Sequence, residues 1–523
     1  MASEIFPALI PALTTRSGIF TMPPTGKRTG PIHHRPSTLT ASRTDDPPPS
    51  PNPAQPAHST HPAWAPDSWK SCPITQGFDY PDPEALRLAL DKLSRMPPLV
   101  TSGEIDALRD AVTEAQNGTA FLLQGGDCSE SFAECTSEHL TRKLKILLKM
   151  SLVLTYGIRR RVIRIGRFAG QYTKPRSSLT ETRGGKTLPS YRGPMVNGPA
   201  FTAKSRTPDP ERLLKAYAYS AMTMNFLRSF IEGGFSDLHH PEIWQMEAFD
   251  LSESRDAFRE IVDGMGRSIR FMEMILGHEV GELNKAEFFA SHEAIHLDYE
   301  QARTRQVPRK EGWYNLATHF PWIGDRTRKI GGAHVEYMRG IANPIGVKIG
   351  PSMDPTELVE LCEVLNPQGQ TGRLVLIHRF GVGRIADLLP PLIRAVRQNH
   401  TVTRSGRGGV RKHRTIPVLW VCDPMHGNTR ATQNGRKTRS FDDIRCELEQ
   451  AFDLHVANGS RLGGLHFELT GENVTECVGG AANISENDLE ERYETEVDPR
   501  LNDEQSLEMA LLIARRLGTT ENV

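Results

Sequence analysis

No part of the sequence approaches the run of about 18 consecutive apolar residues that a bilayer-spanning helix needs, so no transmembrane helix is expected. Excess charge of either sign is also missing. The 63 Lys and Arg residues stand against 63 Asp and Glu, which removes any whole-molecule attraction to nucleic acid or to a membrane surface and makes anion binding a local matter. Paired cysteines are absent too. The seven cysteines, at 72, 128, 135, 362, 422, 446 and 477, are an odd number without a CxxC pair, in a chain too long to need disulfide staples. That pattern fits a reducing compartment, and a cytoplasmic protein is expected.

What is present divides the chain at about residue 62. Residues 1–62 are rich in Pro, Ser, Thr and His and poor in large apolar residues, a composition expected to stay disordered. Only Glu4, Asp45 and Asp46 are acidic there, against Lys27 and four arginines. That balance also occurs in transit peptides, so import into a plastid or mitochondrion is the alternative location, with the prolines arguing against an amphipathic targeting helix.

From Trp64 the composition becomes globular, and helical periodicity appears at 83–93 and 104–115. Eight short apolar or β-branched runs follow, at 120–124, 161–165, 287–290, 320–323, 346–349, 374–377, 417–421 and 464–469, most of them separated by helical segments. The repeat predicts an α/β fold, a (β/α)8 TIM barrel over residues 63–523, with its active site at the C-terminal strand ends. A long helical insertion, about 171–286, follows strand two, with helices near 210–232 and 253–276. It is expected to make contacts in a homo-oligomer or to form a regulatory site, with simple padding of the barrel as the alternative. The basic segment 399–415 reads as a solvated loop before strand seven. No aromatic residue interleaves it, which argues against nucleic-acid binding.

Most runs end in residues with chemistry. Cys128 follows strand one, His426 follows strand seven, and Glu468 lies on strand eight, which neighbours both in a closed barrel. Asp498 can join them if the loop after strand eight returns over the rim. A lone Cys is usually core and a lone Asp before Pro is usually a turn residue. Together they make a mixed sulfur, nitrogen and oxygen donor set for a divalent metal ion. Arg167, Arg326, Lys348 and Arg379 end strands two, four, five and six. A lysine within an apolar strand, as in Gly346-Val347-Lys348-Ile349, is costly unless it meets an anion or a carboxylate. Four cations at one end of four strands predict an anion pocket. The basic turn Lys174-Pro175-Arg176-Ser177 is a candidate second anion site, although such a tetrapeptide taken alone is more often an ordinary basic loop.

These residues fall in blocks, at 64–69, 125–130, 169–177, 291–294, 322–328, 331–348, 423–429, 468–477 and 498–502. In content and order the blocks resemble the signature segments of type II, or plant-type, 3-deoxy-D-arabino-heptulosonate 7-phosphate (DAHP) synthases. The resemblance implies a transferase that condenses phosphoenolpyruvate with erythrose 4-phosphate and water, opening the shikimate pathway to chorismate and the aromatic amino acids. It places Cys128, His426, Glu468 and Asp498 on the family's metal ligands. Arg167, Asp325, Arg326, Lys348 and Arg379 fall on its phosphoenolpyruvate contacts, and Lys174, Arg176 and Ser177 on its erythrose 4-phosphate motif. Manganese or cobalt is the expected ion, with zinc or iron as alternatives. Lys174 or Lys348 is expected to assist proton transfer.

Three positions depart from the family's pattern: Asp325 where Glu is expected, Pro194 where Asp is usual, and His378 where Thr is common. Two rival functions are a Schiff-base aldolase using Lys348 and a non-catalytic regulatory barrel. The latter would dock on a shikimate-pathway enzyme such as chorismate mutase.

Overall fold

A computed structural model describes residues 63–233, 253–276, 287–398 and 416–520. The expectations for 1–62 and for the basic segment 399–415 lie outside the described residues, as do parts of the insertion.

Eight parallel strands close into a barrel: β1 (Ala120–Gly126), β2 (Arg161–Arg167), β3 (Phe288–Glu293), β4 (Phe320–Ile323), β5 (Ile345–Ile349), β6 (Leu374–His378), β7 (Leu419–Cys422) and β8 (Leu462–Glu468). Each strand pairs with the next in chain order, and β1 pairs with β8. The chain is thus the (β/α)8 barrel that its eight runs predict. Strand β3 extends beyond the expected 287–290 because its polar end has partners inside the fold. Ser291 Oγ donates to the Gly166 carbonyl at 2.9 Å, and His292 Nε2 lies 2.8 Å from Glu300 Oε1.

Strand residues alternate between two cores, as period-2 geometry requires. Ile163, Ile165, Phe289, Val375, Ile377 and Val421 fill the barrel, while Phe121, Leu123, Val347, Leu374 and Leu376 pack outward under the helices. Toward the C-terminal end the barrel interior becomes polar. Gln124 Nε2 donates to Ser291 Oγ at 3.0 Å, and Gln124 Oε1 meets His466 Nδ1 at 2.7 Å. Above this layer lie the charged ends Arg167, Lys348 and Glu468.

The other end is closed. The helix Ser102–Asn117 starts at a capping box between Thr101 and Glu104 and ends at Gly118, whose φ of 82° suits glycine. Its Leu108, Ala111, Val112 and Ala115 join the barrel-interior core. The helix passes so close to the starts of the strands that a Cβ on Gly372 would fall 2.0 Å from the Arg109 carbonyl oxygen. Substrate access is left to the C-terminal mouth.

The insertion after β2 contains the helices Glu211–Glu232 and Glu253–Leu276, close to the predicted bounds, and an unforeseen hairpin, Thr180–Arg183 with Lys186–Pro189. Among the described residues no helix is long and apolar enough to cross a membrane.

Candidate functional site

Every site side chain named from the sequence lines one cavity of about 260 Å³ at the C-terminal mouth. The elements that deliver them explain the convergence. Strand β1 ends in Gly125-Gly126, and Gly126 (φ 140°) lies opposite both Arg167 and Glu468 in register. A Cβ there would lie 2.9 Å from the Arg167 carbonyl oxygen. The turn that follows buries Asp127 and brings Cys128 to the cavity. Asp127 pairs with Lys143 at 2.5 Å and with Arg500 at 2.8 Å, and Arg500 also pairs with Glu476 at 2.8 Å. This buried network ties the β1 turn to the segment holding Asp498. Leu501 N–H donates to the Glu468 carbonyl at 3.0 Å, so that segment extends the end of β8 and carries Asp498 back over the rim.

One donor atom each from Cys128, Glu468 and Asp498 lie within 4.8 Å of one another. His426 Nε2 lies 3.0 Å from Glu468 Oε1, and its Nδ1 is held by Asp423 Oδ2 at 2.7 Å, which orients the ring toward the cluster. Burial opposes charge on Glu468, but His426, Arg439 and Arg167 overcome it and keep that carboxyl well below the usual range. Asp498 is likewise held low against burial, chiefly by Lys174. The Cys128 thiol is pushed well up by burial, with Glu468 adding to the effect. Two anionic carboxylates, an imidazole and a thiol that needs a cation to ionise make a donor set that fits a divalent transition metal ion.

The anion side is built from β2, β4, β5 and β6. Arg167 stacks over Trp322 with its guanidinium 5.3 Å from the ring centre, donates to the Asp127 carbonyl at 2.9 Å and pairs with Glu468 at 3.1 Å. Lys348 pairs with Asp423, and burial brings its ammonium down to about 8. Arg379 donates to the His426 carbonyl at 2.8 Å. Arg326 is exposed at the mouth. Asp325 accepts from Arg328 Nε at 2.9 Å and from Gly350 N–H at 3.1 Å, and its other oxygen lies 3.5 Å from Arg379. The shorter carboxylate thus lines the cavity while engaged with Arg328, the Gly350 N–H and Arg379.

The basic turn after β2 is split. Lys174 points inward, in contact with Cys128 and 2.6 Å from Asp498. Arg176 and Ser177 stay toward the mouth, with Arg176 paired to Glu181 at 2.9 Å. Gln76 holds the Arg176 backbone from the N-terminal side, accepting from its N–H at 3.1 Å and donating to its carbonyl at 3.2 Å.

Four groups lacked an assigned role in the sequence reading. Glu293 ends β3 inside the cavity, where burial raises its carboxyl and Oε1 has no hydrogen-bond partner. Its position at a strand end was the available signal. Lys437, on the hairpin Arg430–Ala431 with Lys437–Thr438, pairs with Asp498 at 2.7 Å. Arg439, fully buried, pairs with Glu468 at 2.7 Å. Glu447 lies outside the cavity on an outer helix. The last three come from irregular or outer segments that no strand-end rule reaches.

A sequence profile described as the Class-II DAHP synthetase family matches residues 64–514. A Neurospora crassa protein named phospho-2-dehydro-3-deoxyheptonate aldolase is 46% identical over 467 residues, covering 87% of this chain and 94% of that protein. A protein of the same name from Streptomyces coelicolor is 45% identical over 448 residues, covering 86% and 96%. Among solved structures, a phospho-2-dehydro-3-deoxyheptonate aldolase from Francisella tularensis SCHU S4 aligns over 85% of this chain and 99% of its own, with a TM-score of 0.40 and 14% identity.

Proposed function

Since the chain belongs to the class-II DAHP synthetase family, we propose that it is a 3-deoxy-7-phosphoheptulonate synthase, the shikimate-pathway enzyme that joins phosphoenolpyruvate to erythrose 4-phosphate. One observation carries this reading: a single cavity places a sulfur and oxygen donor cluster, with the His426 imidazole against its Glu468, beside a set of cations suited to two phosphates and a carboxylate.

Arg167, Arg326, Lys348 and Arg379 hold the phosphate and carboxylate of phosphoenolpyruvate, with Asp325 positioning Arg379. Arg176 and Ser177 receive the phosphate of erythrose 4-phosphate, which leaves its aldehyde near Lys174. Cys128, His426, Glu468 and Asp498 would hold a divalent ion, which supplies Lewis acidity toward the aldehyde oxygen. Manganese, cobalt, zinc and iron all suit this donor set.

The terminal methylene carbon of phosphoenolpyruvate attacks the aldehyde carbon, forming the new carbon–carbon bond, while Lys174 gives a proton to the aldehyde oxygen. Positive charge then develops at the second carbon of phosphoenolpyruvate. A water adds there and passes a proton to Glu293, whose side chain lines the cavity. The bond from that carbon to the phosphate oxygen breaks, the hemiketal hydroxyl gives its remaining proton to the departing phosphate, and the ketone of the seven-carbon product remains. Lys174 and Lys348 thus divide the work: the first handles a proton and the second binds an anion. All seven cysteines are free, which supports a reducing compartment such as the cytoplasm.

The test is a labelled turnover. Phosphoenolpyruvate carrying ¹³C at its methylene carbon, incubated with erythrose 4-phosphate and Mn²⁺, should move its label into the ring methylene of a seven-carbon product, with one phosphate released per product. Label recovered only in pyruvate would refute the condensation. The lowered Lys348 also makes the Schiff-base rival testable: borohydride with erythrose 4-phosphate should trap no adduct on Lys348, and a trapped amine would favour the rival.

A further inference from the structure

Glu447 lies outside the cavity. It sits on the outer helix Phe441–Ala457 with no exposed surface, and its carboxylate reaches between the loops after β6 and β7. Oε1 accepts the N–H groups of Phe380 at 3.0 Å and Gly381 at 2.9 Å. Oε2 accepts from Asn428 Nδ2 at 2.7 Å. Asn428 is itself fixed, since its Oδ1 accepts from Val382 N–H at 3.0 Å and its Nδ2 donates to the Pro424 carbonyl at 2.8 Å. The first loop begins at Arg379 and the second contains His426. These two loops touch without an intervening side chain: a Cβ on Gly427 would fall 2.2 Å from the Gly381 nitrogen. Above them Arg379 donates to the His426 carbonyl. A buried carboxylate is costly unless its hydrogen bonds are made, and here its donors come from both loops. Neither loop can shift alone without stranding it.

We propose that Glu447 is a positioning residue that couples the two halves of the site, so that metal binding through His426 and phosphoenolpyruvate binding through Arg379 strengthen each other. This rests on the roles given to Arg379 and His426 above. Because the coupling is a free energy between two sites, it is reciprocal: the ion tightens phosphoenolpyruvate by the same factor that phosphoenolpyruvate tightens the ion. The loop holding Arg176 and Ser177 lies outside this linkage, being held by Gln76 and Glu181.

Glu447→Gln is the informative variant. It keeps an oxygen for Phe380 and Gly381 but sets an NH₂ group against the Asn428 NH₂, which Pro424 and Val382 prevent from turning. Calorimetry on the full chain should measure Mn²⁺ affinity with and without phosphoenolpyruvate, and phosphoenolpyruvate affinity with and without Mn²⁺. In the unaltered protein the two coupling factors should agree and exceed one. In Glu447→Gln the factor should fall toward one and both affinities should weaken by about tenfold, the scale of one buried charge-assisted hydrogen bond. With Mn²⁺ and phosphoenolpyruvate both saturating, the KM for erythrose 4-phosphate should stay within about twofold, since the Arg176 end of its loop is anchored by Gln76 and Glu181.

Asn428→Ala breaks the same tie from the other side and serves if Glu447→Gln does not fold; combined with Glu447→Gln it should add little to either single effect. An unchanged coupling factor in a folded Glu447→Gln protein would overturn the proposal while leaving the proposed reaction intact. A uniform loss across both substrates would also overturn it, as the mark of a merely structural residue. Failure of the unaltered protein to bind Mn²⁺ and phosphoenolpyruvate would remove the functional reading itself.

Discussion

Cys128 is where a structural thiol and a metal ligand make opposite forecasts. Its side chain is 2% exposed, so as core alone Cys128→Ser should cost about 1–2 kcal/mol of stability and leave turnover largely intact. As a ligand it supplies a soft thiolate that a neutral hydroxyl cannot replace. We predict a folded Cys128→Ser protein with metal affinity and turnover reduced by at least about a hundredfold, the upper range for losing even an outer-shell partner. Cys135→Ser should stay active, because that sulfur lies against Thr223 and Tyr219 and away from the cavity. Retained metal and near-normal turnover in Cys128→Ser would remove the residue from the site.

Lys348 makes a prediction in pH. Burial favours its neutral form and brings it down to about 8. The ammonium proposed to bind phosphoenolpyruvate is therefore lost as pH rises past that value, and kcat/KM for phosphoenolpyruvate should fall by roughly tenfold per unit above it. The stability sign is opposite. Between about 8 and the unfolded value of about 10.4 the unfolded chain binds more protons, so this group's contribution to stability rises with pH, and the falling rate is not unfolding. Lys348→Arg should abolish that limb of the profile; a limb unmoved by the substitution would assign it elsewhere. At this scale the sequence reveals residues that end apolar strands, such as Arg167, Lys348 and Glu468, because strand polarity and barrel closure fix where they point. It hides Arg439 and Glu447, whose roles depend on where a loop and an outer helix come to rest.

The barrel strands were legible as elements because each is a short apolar run bounded by polar turns. The hairpin Thr180–Arg183 with Lys186–Pro189 was not read, although its turn residues Gly184 and Gly185 both take positive φ, 55° and 74°, a hairpin signal the sequence does contain. Less legible was the segment after β8, since the bridge between Leu469 and Leu501 and the buried Asp127–Arg500–Glu476 pairs that return Asp498 to the rim join residues far apart in sequence. Equally hidden was the role of residues before the first helix. Thr75 donates to the Arg326 carbonyl at 3.1 Å while Gln76 clasps the Arg176 backbone, so this short stretch ties together the loops after β2 and β4. Gln76→Ala should raise the KM for erythrose 4-phosphate several-fold, about 1 kcal/mol for a lost positioning hydrogen bond. The phosphoenolpyruvate KM and metal content should hardly move. Steady-state kinetics in each substrate checks this, and an unchanged erythrose 4-phosphate KM would show that the clasp does not position Arg176.

Over the whole molecule, one asymmetry organises function. The helix Ser102–Asn117 and an apolar interior close the N-terminal end of the barrel, while the opposite end carries buried charge that survives only because it is paired or awaits a ligand. The central claim is that this charged end performs a metal-dependent condensation of two phosphorylated substrates. Phosphate release from phosphoenolpyruvate tests it most directly, measured with and without erythrose 4-phosphate, before and after chelation, and again after Mn²⁺ or Co²⁺ is restored. The account predicts release only with both substrates present, loss on chelation and recovery with the added ion. Full-rate release from metal-free protein, or equal release without erythrose 4-phosphate, would contradict it.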